Sequence, residues 1–516
     1  MANKFMNTLK QDANFTHTEN CALTHKSTGD GVLDLFAMGA AYRHRSDEDC
    51  IFLFKKAFEE DEVYALKCLF YLRDARGGQG ERRFWRVCMK WLATNNISAA
   101  RRNIKYVPEF GRWDDLYVFV GTPVQNEAFD LIKKQLALDV DCKTPSLLAK
   151  WLKSENTSSR DSRSLGNITR KALGMSHKQY RKTLSILRKR INVLERLMSE
   201  NRWDEIEFDK IPSRAGLIYK NAFARHDIER EKANAQTYAN FAKDTNTKVN
   251  AKTLYPYECV HEAVKKMLRS DYCSWDRKSS SVAMDDTDRL MINKYWDNLT
   301  DYFNGSSLNA LAVVDTSASM RANDASAPIN VAISLGMYCA DKAKGPFAHN
   351  YVSFSRTPRL VEVNGVDFCD KVARIYQTNL CENTNIEATF DMLLDTALKS
   401  HCSQADLPQN LIIISDMEFD RARGSYSFYN RNFNEDACRT LMENIEKKWN
   451  AHGYKMPHLI YWNVDARQDN IPMKVKGGVS FVSGMSPSIF QQIMTGKTAY
   501  DLMYEVLDSE RYACIK

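Results

Sequence analysis

Hydroxyl and carboxylate side chains follow apolar runs at two places in the C-terminal third of the chain. The stretch LAVVDTSASM places Asp315 at the end of one run, with Ser317 and Ser319 directly after it. NLIIISDMEFD ends a second apolar run at Asp416, and ENTNIEATF places Thr384 just before a helix-like segment. All five side chains carry hard oxygen, which Mg²⁺ and Ca²⁺ prefer as ligands. Two hydroxyls two residues apart can point the same way off an extended turn, while the carboxylates neutralise a cation.

In an open α/β sheet, ligands bind beyond the carboxyl ends of the strands. The five side chains therefore predict a divalent-cation site, for Mg²⁺, with one open coordination position. The alternative is a solvated Asp/Ser turn that caps the next helix. D-x-S-x-S alone is a weak pattern, but a second Asp at a strand end favours the cation site.

Metal-dependent hydrolysis is a further alternative, because carboxylates around Mg²⁺ can activate water. The only extra acids near the motifs are Glu418 and Asp420, and no His lies in the motif segments. We therefore expect that the protein is not an enzyme.

The elements that must position these side chains alternate between strand and helix after the turn NGSS. Continuous apolar segments (NALAVVD, NYVSFS, NLIIIS, HLIYWNV and GVSFVS) are separated by helix-like segments at 328–344, 386–399 and 434–451, and a last one lies near 486–508. This alternation indicates a mostly parallel sheet covered on both faces. Residues 304–516 are predicted to form a Rossmann-like α/β domain.

The residues before this domain have a different hydrophobic pattern. Successive segments have apolar side chains at helical spacing, and they are separated by Gly, Pro and Asp. Helical pairs about 30 to 45 residues apart are typical of a HEAT-type α-solenoid. We therefore predict an α-helical repeat domain over 31–303, preceded by an extended arm over 1–30. A chain of 516 residues is too long for one hydrophobic core.

Positive charge is concentrated in the N-terminal part of the chain. The net charge of +7 divides into −3 for residues 306–516 and +10 for the residues before them. The stretch 160–196 is the most basic, and its apolar positions, from Tyr180 to Leu194, fall on one helical stripe. A charged helix face is often merely solvated, but nearly unopposed positive charge over this length suits phosphate backbones. We therefore predict RNA binding by Arg170, Lys171, Lys178, Arg181, Lys182, Arg188 and Lys189.

The segment YLRDARGGQGERRFWR at 71–86 combines glycines with arginines. It lacks GK[ST] and a preceding strand, so a nucleotide-binding P-loop is rejected, and the glycines are interpreted as a break between two helices. Its guanidinium groups could contact RNA phosphates or stack on bases. The candidates are Arg73, Arg76, Arg82 and Arg83.

The 13 cysteines form no C-x-x-C pair, which indicates free thiols in a reducing compartment. No stretch reaches the roughly 18 apolar residues of a membrane span, and the start of the chain has no apolar signal core. We expect a cytoplasmic protein without a membrane partner.

DTSAS after an apolar strand, with Thr384 and Asp416 downstream, resembles the metal-ion-dependent adhesion site of von Willebrand factor A domains. The resemblance implies that Ser317, Ser319 and Thr384 bind the metal directly, and that Asp315 and Asp416 act through water. It also implies that a carboxylate of a protein partner completes the coordination shell. A metal-dependent adhesion scaffold without RNA function is therefore the alternative to RNA binding.

YLRDARGGQGERRFWR and FGRWDDLY, followed by an adhesion-site domain, resemble the Ro autoantigen (TROVE) family. SLLAKWLKSEN, YRKTLSILRKRINVLERLMSENRWDEIEF and IPSRAG resemble more closely a related uncharacterised family of plants and large viruses. The resemblance extends from Gly31 onward. It implies a ring of helical repeats that the A domain closes. The resemblance also implies that this ring acts as a scaffold that binds small noncoding Y RNAs and misfolded RNAs.

Overall fold

The computed structural model describes residues 14–267, 284–303, 309–321, 327–354, 357–378, 385–420, 440–475, 478–493 and 496–516. Packing divides the chain into two compact units. The first unit joins Met1–Cys68 to Leu254–Ser509, and the second joins Leu69–Thr253 to Glu510–Lys516. The boundaries expected from the sequence, after residues 30 and 303, follow the chain linearly. The structural division differs because two segments far apart in sequence pack into the first unit.

The N-terminal segment of the first unit begins with an antiparallel pair of short strands, in which Thr16 lies opposite Thr24. Residues 14–30 thus contain a hairpin where the sequence suggested an extended arm. Asp30 then caps the first helix, since its carboxylate accepts a hydrogen bond from the Leu33 backbone N–H at 2.8 Å. The elements are β1 (Phe15–His17), β2 (Leu23–His25), α1 (Gly31–Met38), α2 (Asp47–Glu60) and α3 (Glu62–Arg73), of which residues 69–73 belong to the second unit.

The described part of the second unit is mainly helical. Several of them begin at hydroxyl N-caps, such as Ser159 and Ser176, whose oxygens satisfy a first-turn N–H. In chain order they are α4 (Arg83–Asn95), α5 (Ile97–Asn103), α6 (Val107–Phe110), α7 (Gln125–Asp141), α8 (Leu148–Trp151), α9 (Arg160–Ala172), α10 (His177–Arg190), α11 (Leu194–Ser199), α12 (Ser213–Arg225), α13 (Asp227–Lys232) and α14 (Tyr238–Lys243).

The C-terminal segment of the first unit alternates helices and strands. The helices are α15 (Pro256–Met267), α16 (Asp286–Asp297), α17 (Pro328–Lys342), α18 (Phe368–Thr378), α19 (Ile386–Lys399), α20 (Leu441–Ala451), α21 (Ile489–Ile493) and α22 (Ala499–Leu507). The strands are β3 (Ala310–Asp315), β4 (Asn350–Phe354), β5 (Arg359–Glu362), β6 (Asn410–Ser415), β7 (His458–Asn463) and β8 (Val479–Ser483).

These strands form one sheet in the order β5-β4-β3-β6-β7-β8, in which only β5 runs antiparallel to its neighbour. All residues of β3 and β6 are buried, as expected for central strands with continuous apolar sequences. α17 packs against β3, and its Gly336 permits the close approach because an added Cβ would lie 2.5 Å from a Val314 methyl. The predicted combination of a helical region and an α/β sheet is confirmed.

Within the described ranges, no helix is both long enough and apolar enough to span a bilayer.

Candidate cation site and candidate RNA-binding face

The two carboxylates of the predicted cation site lie at the same edge of the sheet. β3 and β6 are parallel neighbours in which Val314 pairs with Ile414, so both strands end at the same level. Asp315 closes β3, and Asp416 follows β6 directly. Both carboxylates are fully buried. The sheet topology therefore brings together two residues that are a hundred positions apart.

A backbone N–H and a hydroxyl group donate to the Asp315 carboxylate. Its Oδ1 accepts a hydrogen bond from the Ser317 backbone N–H at 2.9 Å, and its Oδ2 accepts one from the Ser415 hydroxyl at 2.6 Å. The Ser317 and Ser319 hydroxyl oxygens lie 2.9 Å apart, so the two serines do point the same way. The fifth predicted ligand, Thr384, lies outside the described residues.

Arg467 reaches the other carboxylate from the loop after β7. Its guanidinium donates to Asp416 Oδ2 at 3.1 Å and to the Ser319 backbone carbonyl. The same guanidinium donates to Glu19 Oε2 at 2.9 Å, which connects the site to the turn between β1 and β2. A cationic side chain thus neutralises part of the buried negative charge.

Burial controls the protonation of the acids at this edge. Desolvation raises the pKa of Asp315 and of Asp416, and for Asp315 the neighbouring Asp416 carboxylate raises it further. Desolvation also raises the pKa of Glu418 to about 7. Buried carboxylates beside two convergent hydroxyls suit a small divalent cation, because the cation would restore their charged forms.

The donor set depends on hydroxyl oxygens. In the described part of the chain, no group of three or more His, Cys, Asp or Glu side chains is arranged to hold a metal ion. A cation at this edge would be held by two carboxylates, Ser317 and Ser319, and it would supply positive charge and a coordination position for an outside oxygen.

The N-terminal hairpin packs beside the Asp416 loop. Glu418 Oε2 accepts the Glu19 backbone N–H at 2.7 Å, and the Phe419 carbonyl accepts the Thr18 hydroxyl at 2.7 Å. Cys21 forms an antiparallel bridge with Asp420. The segment that was expected to be an extended arm therefore packs directly beside the candidate site.

The second candidate site is the basic stretch, which is divided into α9, α10 and α11. Gly174 has φ +67° and Asn192 has φ +47°, and these left-handed residues end the helices before them. A capping box between Ser176 and Gln179 then starts α10. Tyr180, Leu184 and Leu187 form its buried stripe. The predicted packing side of this helix is thus present.

Five of the predicted RNA-binding cations are exposed on these helices: Lys171, Lys178, Arg181, Lys182 and Lys189. No carboxylate in the described ranges forms an ion pair with any of them. On α10, Lys178, Lys182 and Lys189 lie within about 40° of one another around the axis, opposite the buried stripe. Together with Arg181, these three lysines form a cationic surface. We call the four residues the α10 face.

Arg170 and Arg188 have structural contacts that the sequence did not indicate. Arg170 pairs with the nearly buried carboxylate of Glu155 at 2.7 Å. Arg188 donates to the backbone carbonyls of Ala149 at 2.9 Å and Leu152 at 2.8 Å. Because both guanidinium groups are turned inward to satisfy protein acceptors, the expectation that they contact RNA is corrected.

The glycine-rich segment at 71–86 is a tight turn between α3 and α4, as interpreted from the sequence. Gly78 approaches the Tyr71 carbonyl so closely that a Cβ would lie 2.1 Å from the oxygen. Arg76 is exposed and donates to the Glu109 carbonyl. Arg82 and Arg83 are half-buried.

Arg73 differs most from its predicted role. Its side chain is 4% exposed and donates through Nε to Asp115 Oδ2 at 3.0 Å. The expectation that Arg73 contacts RNA is corrected, because this guanidinium is sequestered by a buried carboxylate 42 residues away.

The family model described as Domain of unknown function (DUF2828) matches residues 18–164 and 138–306, which is more than half of the chain. The chain belongs to the DUF2828 family. A second model, Domain of unknown function (DUF7788), matches residues 309–512, which include the whole six-stranded sheet of this DUF2828 protein.

One curated relative of this DUF2828 protein is the uncharacterized protein L728 of Acanthamoeba polyphaga mimivirus. It is 29% identical over 524 residues, covering 94% of this chain and 85% of the relative. This match agrees with the resemblance to a family found in large viruses. The crystal structure of the Deinococcus radiodurans Ro (RSR) protein superposes with a TM-score of 0.48 at 13% identity, covering 94% of this chain and 100% of that chain. The resemblance to the Ro and von Willebrand factor A families stays a prediction.

Two site residues of this DUF2828 protein, Glu19 and Arg467, were missed by the sequence reasoning. Arg467 follows β7, a parallel neighbour of β6, so its place after a strand end was a usable signal. Glu19 carried no such signal, because its contact with Arg467 spans 448 residues of sequence.

Replacing Arg73 with Ala is expected to destabilise the protein by about 2 kcal/mol, because it removes two buried charge-assisted hydrogen bonds to Asp115, although Arg82 and Arg86 still neutralise this carboxylate. Urea unfolding measures the change. Arg76→Ala is the matched control, since Arg76 is exposed and its loss should change stability by less than about 0.5 kcal/mol. An Arg73→Ala protein that is as stable as the wild type but has lost RNA affinity would restore the role predicted from the sequence.

Proposed function

We propose that this protein binds RNA through the α10 face and neighbouring Lys171. The observation that supports the proposal is the set of exposed cations that no described carboxylate neutralises. A merely solvated helix usually alternates its charges, and paired charges of both signs would serve solubility equally well. An unpaired stripe of one sign is instead suited to a polyanion.

The dimensions of the α10 face fit a nucleic-acid strand. Lys178 and Lys189 are eleven residues apart, which is about 16 Å along the helix axis. Lys182 lies between them on the same line and Arg181 lies about 60° to 100° to one side of it, so the four cations can face roughly two to three phosphates of an extended strand. The sequence motifs that resemble the Ro family favour RNA, and among RNAs small noncoding and misfolded ones.

RNA affinity is expected to fall about tenfold between 50 and 200 mM salt. Neutralising about two to three phosphates of a single strand, with a slope near 0.7 per phosphate, yields this reduction over a fourfold change in salt concentration. Fluorescence anisotropy of a labelled single-stranded RNA, titrated with the full-length chain, measures it. Salt-independent binding, or no binding, contradicts the proposal.

The second proposal concerns the sheet edge, where Asp315, Asp416, Ser317 and Ser319 are proposed to hold Mg²⁺ with Thr384. It is supported by the paired buried carboxylates and by the two hydroxyl oxygens that converge beside them. The motif resemblance supports assigning the sheet to the von Willebrand factor A class and the helices to the HEAT class. An acidic group of a protein partner would then bind the open coordination position of the cation.

A metal-dependent adhesion scaffold without RNA function is the alternative, and one observation favours keeping it. The candidate cation site is built entirely within the first unit, whereas the α10 face belongs to the second. Partner capture that is abolished by EDTA while RNA is not bound would support the alternative. We propose no catalytic role, and RNA incubated with the protein and Mg²⁺ should remain intact.

A further inference from the structure

Two buried carboxylates in the second unit lie close to more cationic side chains than they can neutralise. Asp114 and Asp115 follow each other in the short 3-10 helix Trp113–Phe119 after α6, and their side chains are 5% and 0% exposed. Asp114 is within 4.0 Å of Arg82, Arg86, Arg112 and Lys153, and Asp115 is within that distance of Arg73, Arg82 and Arg86. We call these five cations and two carboxylates the arginine cluster.

The arginine cluster has three positive charges in excess. Five cations face two carboxylates, and Arg82 is near enough to Arg86 and Arg112 to repel both. Burial, followed by this repulsion, lowers the pKa of Arg86, and the same two causes act on Arg112. An ion-pair network that only stabilised the fold would approach neutrality. The excess therefore favours an additional anion.

Four of the cations remain accessible. The side chains of Arg82, Arg86, Arg112 and Lys153 are 37%, 35%, 31% and 31% exposed, whereas Arg73 is the buried base of the cluster. An anion can therefore reach these four cations from solvent.

Donor groups are also left over. Arg82, Arg86 and Arg112 each use Nε and Nη2 to reach protein acceptors. Within the described part of the chain, the Nη1 group of each has no hydrogen-bond partner. Arg112 is also held in place by Trp151, since its Cζ lies 4.0 Å from the ring centroid. Three oriented donor groups thus remain for a multivalent oxygen anion.

The arginine cluster is joined to the helix that carries the α10 face. The backbone carbonyl of Lys153 accepts the Tyr180 hydroxyl at 2.8 Å, and Tyr180 lies on the buried stripe of α10. Arg188 of the same helix donates to the Ser154 hydroxyl at 3.0 Å. The segment that carries Lys153 of the arginine cluster thus packs directly against the buried side of α10.

We propose that the arginine cluster binds the terminal phosphate of an RNA strand. An internal phosphodiester carries one negative charge, whereas a terminal phosphate carries about 1.5 to 2 at neutral pH and offers three oxygens. The dianion balances more of the threefold excess and offers more oxygen acceptors to the remaining Nη1 groups. This inference rests on the proposed RNA binding and adds that the end of the strand is recognised.

The test compares RNAs that differ only in the terminal group. A labelled single-stranded 12-mer is prepared with phosphate or hydroxyl at its 5′ end, and a second pair differs in the same way at the 3′ end. A phosphate at one of the ends should tighten binding to the full-length protein by about tenfold, the effect of one strong charged contact. Arg86→Gln combined with Arg112→Gln should abolish this preference and leave affinity for the hydroxyl RNA within twofold.

Lys153→Gln provides a second variant in case the double substitution unfolds, and it should reduce the preference to about threefold or less. Arg101→Gln is the matched control, because Arg101 is an exposed arginine of α5 and should keep the full preference. Equal binding of phosphate and hydroxyl RNAs overturns the inference alone. A preference that survives in both cluster variants also overturns it. Failure of every RNA to bind overturns the proposed function as well.

Discussion

Reversing the charge of Lys178, Arg181, Lys182 and Lys189 to Glu is expected to lower affinity for single-stranded RNA by at least about 100-fold at 100 mM salt. Each substitution replaces an attraction to a phosphate with a repulsion, and the salt slope should fall by about 0.7 for every phosphate that is no longer neutralised. All four side chains are exposed, so the fold should tolerate the change. Fluorescence anisotropy measures the affinity, and circular dichroism verifies the helices.

The control for this variant reverses Lys90, Lys133, Lys134 and Lys143, which are exposed on other surfaces of the second unit. It changes the net charge of the protein by the same amount. If binding depended only on net charge, both variants would lose affinity equally. We expect the control to lose less than about fivefold, and an equal loss would remove the α10 face from the proposal.

Replacing Asp315 with Asn is expected to stabilise the cation-free protein and to abolish its response to Mg²⁺. The Asn carbonyl can accept from the Ser317 N–H, and its amide can donate to the Ser415 hydroxyl. Both hydrogen bonds of the carboxylate therefore have a counterpart in the variant, the second with its direction reversed. It carries no charge, and the desolvation cost of the buried carboxylate disappears. At pH 8 in EDTA the gain should be on the order of 1 to 3 kcal/mol.

The sign of the pH dependence follows from the raised pKa of Asp315. The folded state binds this proton more tightly than the unfolded chain does, whose carboxyl has a pKa near about 4. The wild type therefore loses stability relative to the Asn variant as pH rises from about 4 through the raised pKa. Below that window the two proteins should be equally stable.

Mg²⁺ should offset the stability advantage of the Asn variant. A cation at 100 times its dissociation constant stabilises the folded wild type by about 2.7 kcal/mol, and the Asn variant should gain nothing. Thermal unfolding at pH 8 with EDTA and with Mg²⁺ measures both effects. Asp395→Asn, on an exposed part of α19, is the control and should respond to Mg²⁺ like the wild type. An Asp315→Asn protein that is still stabilised by Mg²⁺ would contradict the site.

The central strands were predictable because burial on both faces requires continuous apolar sequence, and β3, β6 and β7 fall where such runs occur. β5 was not predicted, since this edge strand is largely exposed and its sequence RLVE has no apolar run. Local sequence also could not reveal the packing of α1 with β8, because hydrophobic periodicity carries no information on which distant element covers an apolar face.

The cation site was predictable in part for the same reason. Asp315 and Asp416 each follow an apolar strand, and the parallel sheet places their ends together. Arg73 and Arg188 were misjudged because helical position indicates only where a side chain leaves the backbone. A long guanidinium stem can still turn back to a buried carboxylate or to backbone carbonyls.

The contact between α1 and β8 has a consequence for biosynthesis. All eight residues of α1 are buried, and the Ser483 hydroxyl at the end of β8 donates to the Phe36 carbonyl at 3.3 Å. On the ribosome, this apolar helix emerges more than 400 residues before its partner strand, a delay of about 20 to 80 s at 5 to 20 residues per second. During that interval α2 can already pack against one side of α1, but the side that β8 covers stays exposed, so a chaperone that shields Gly31–Met38 would increase the yield of folded protein.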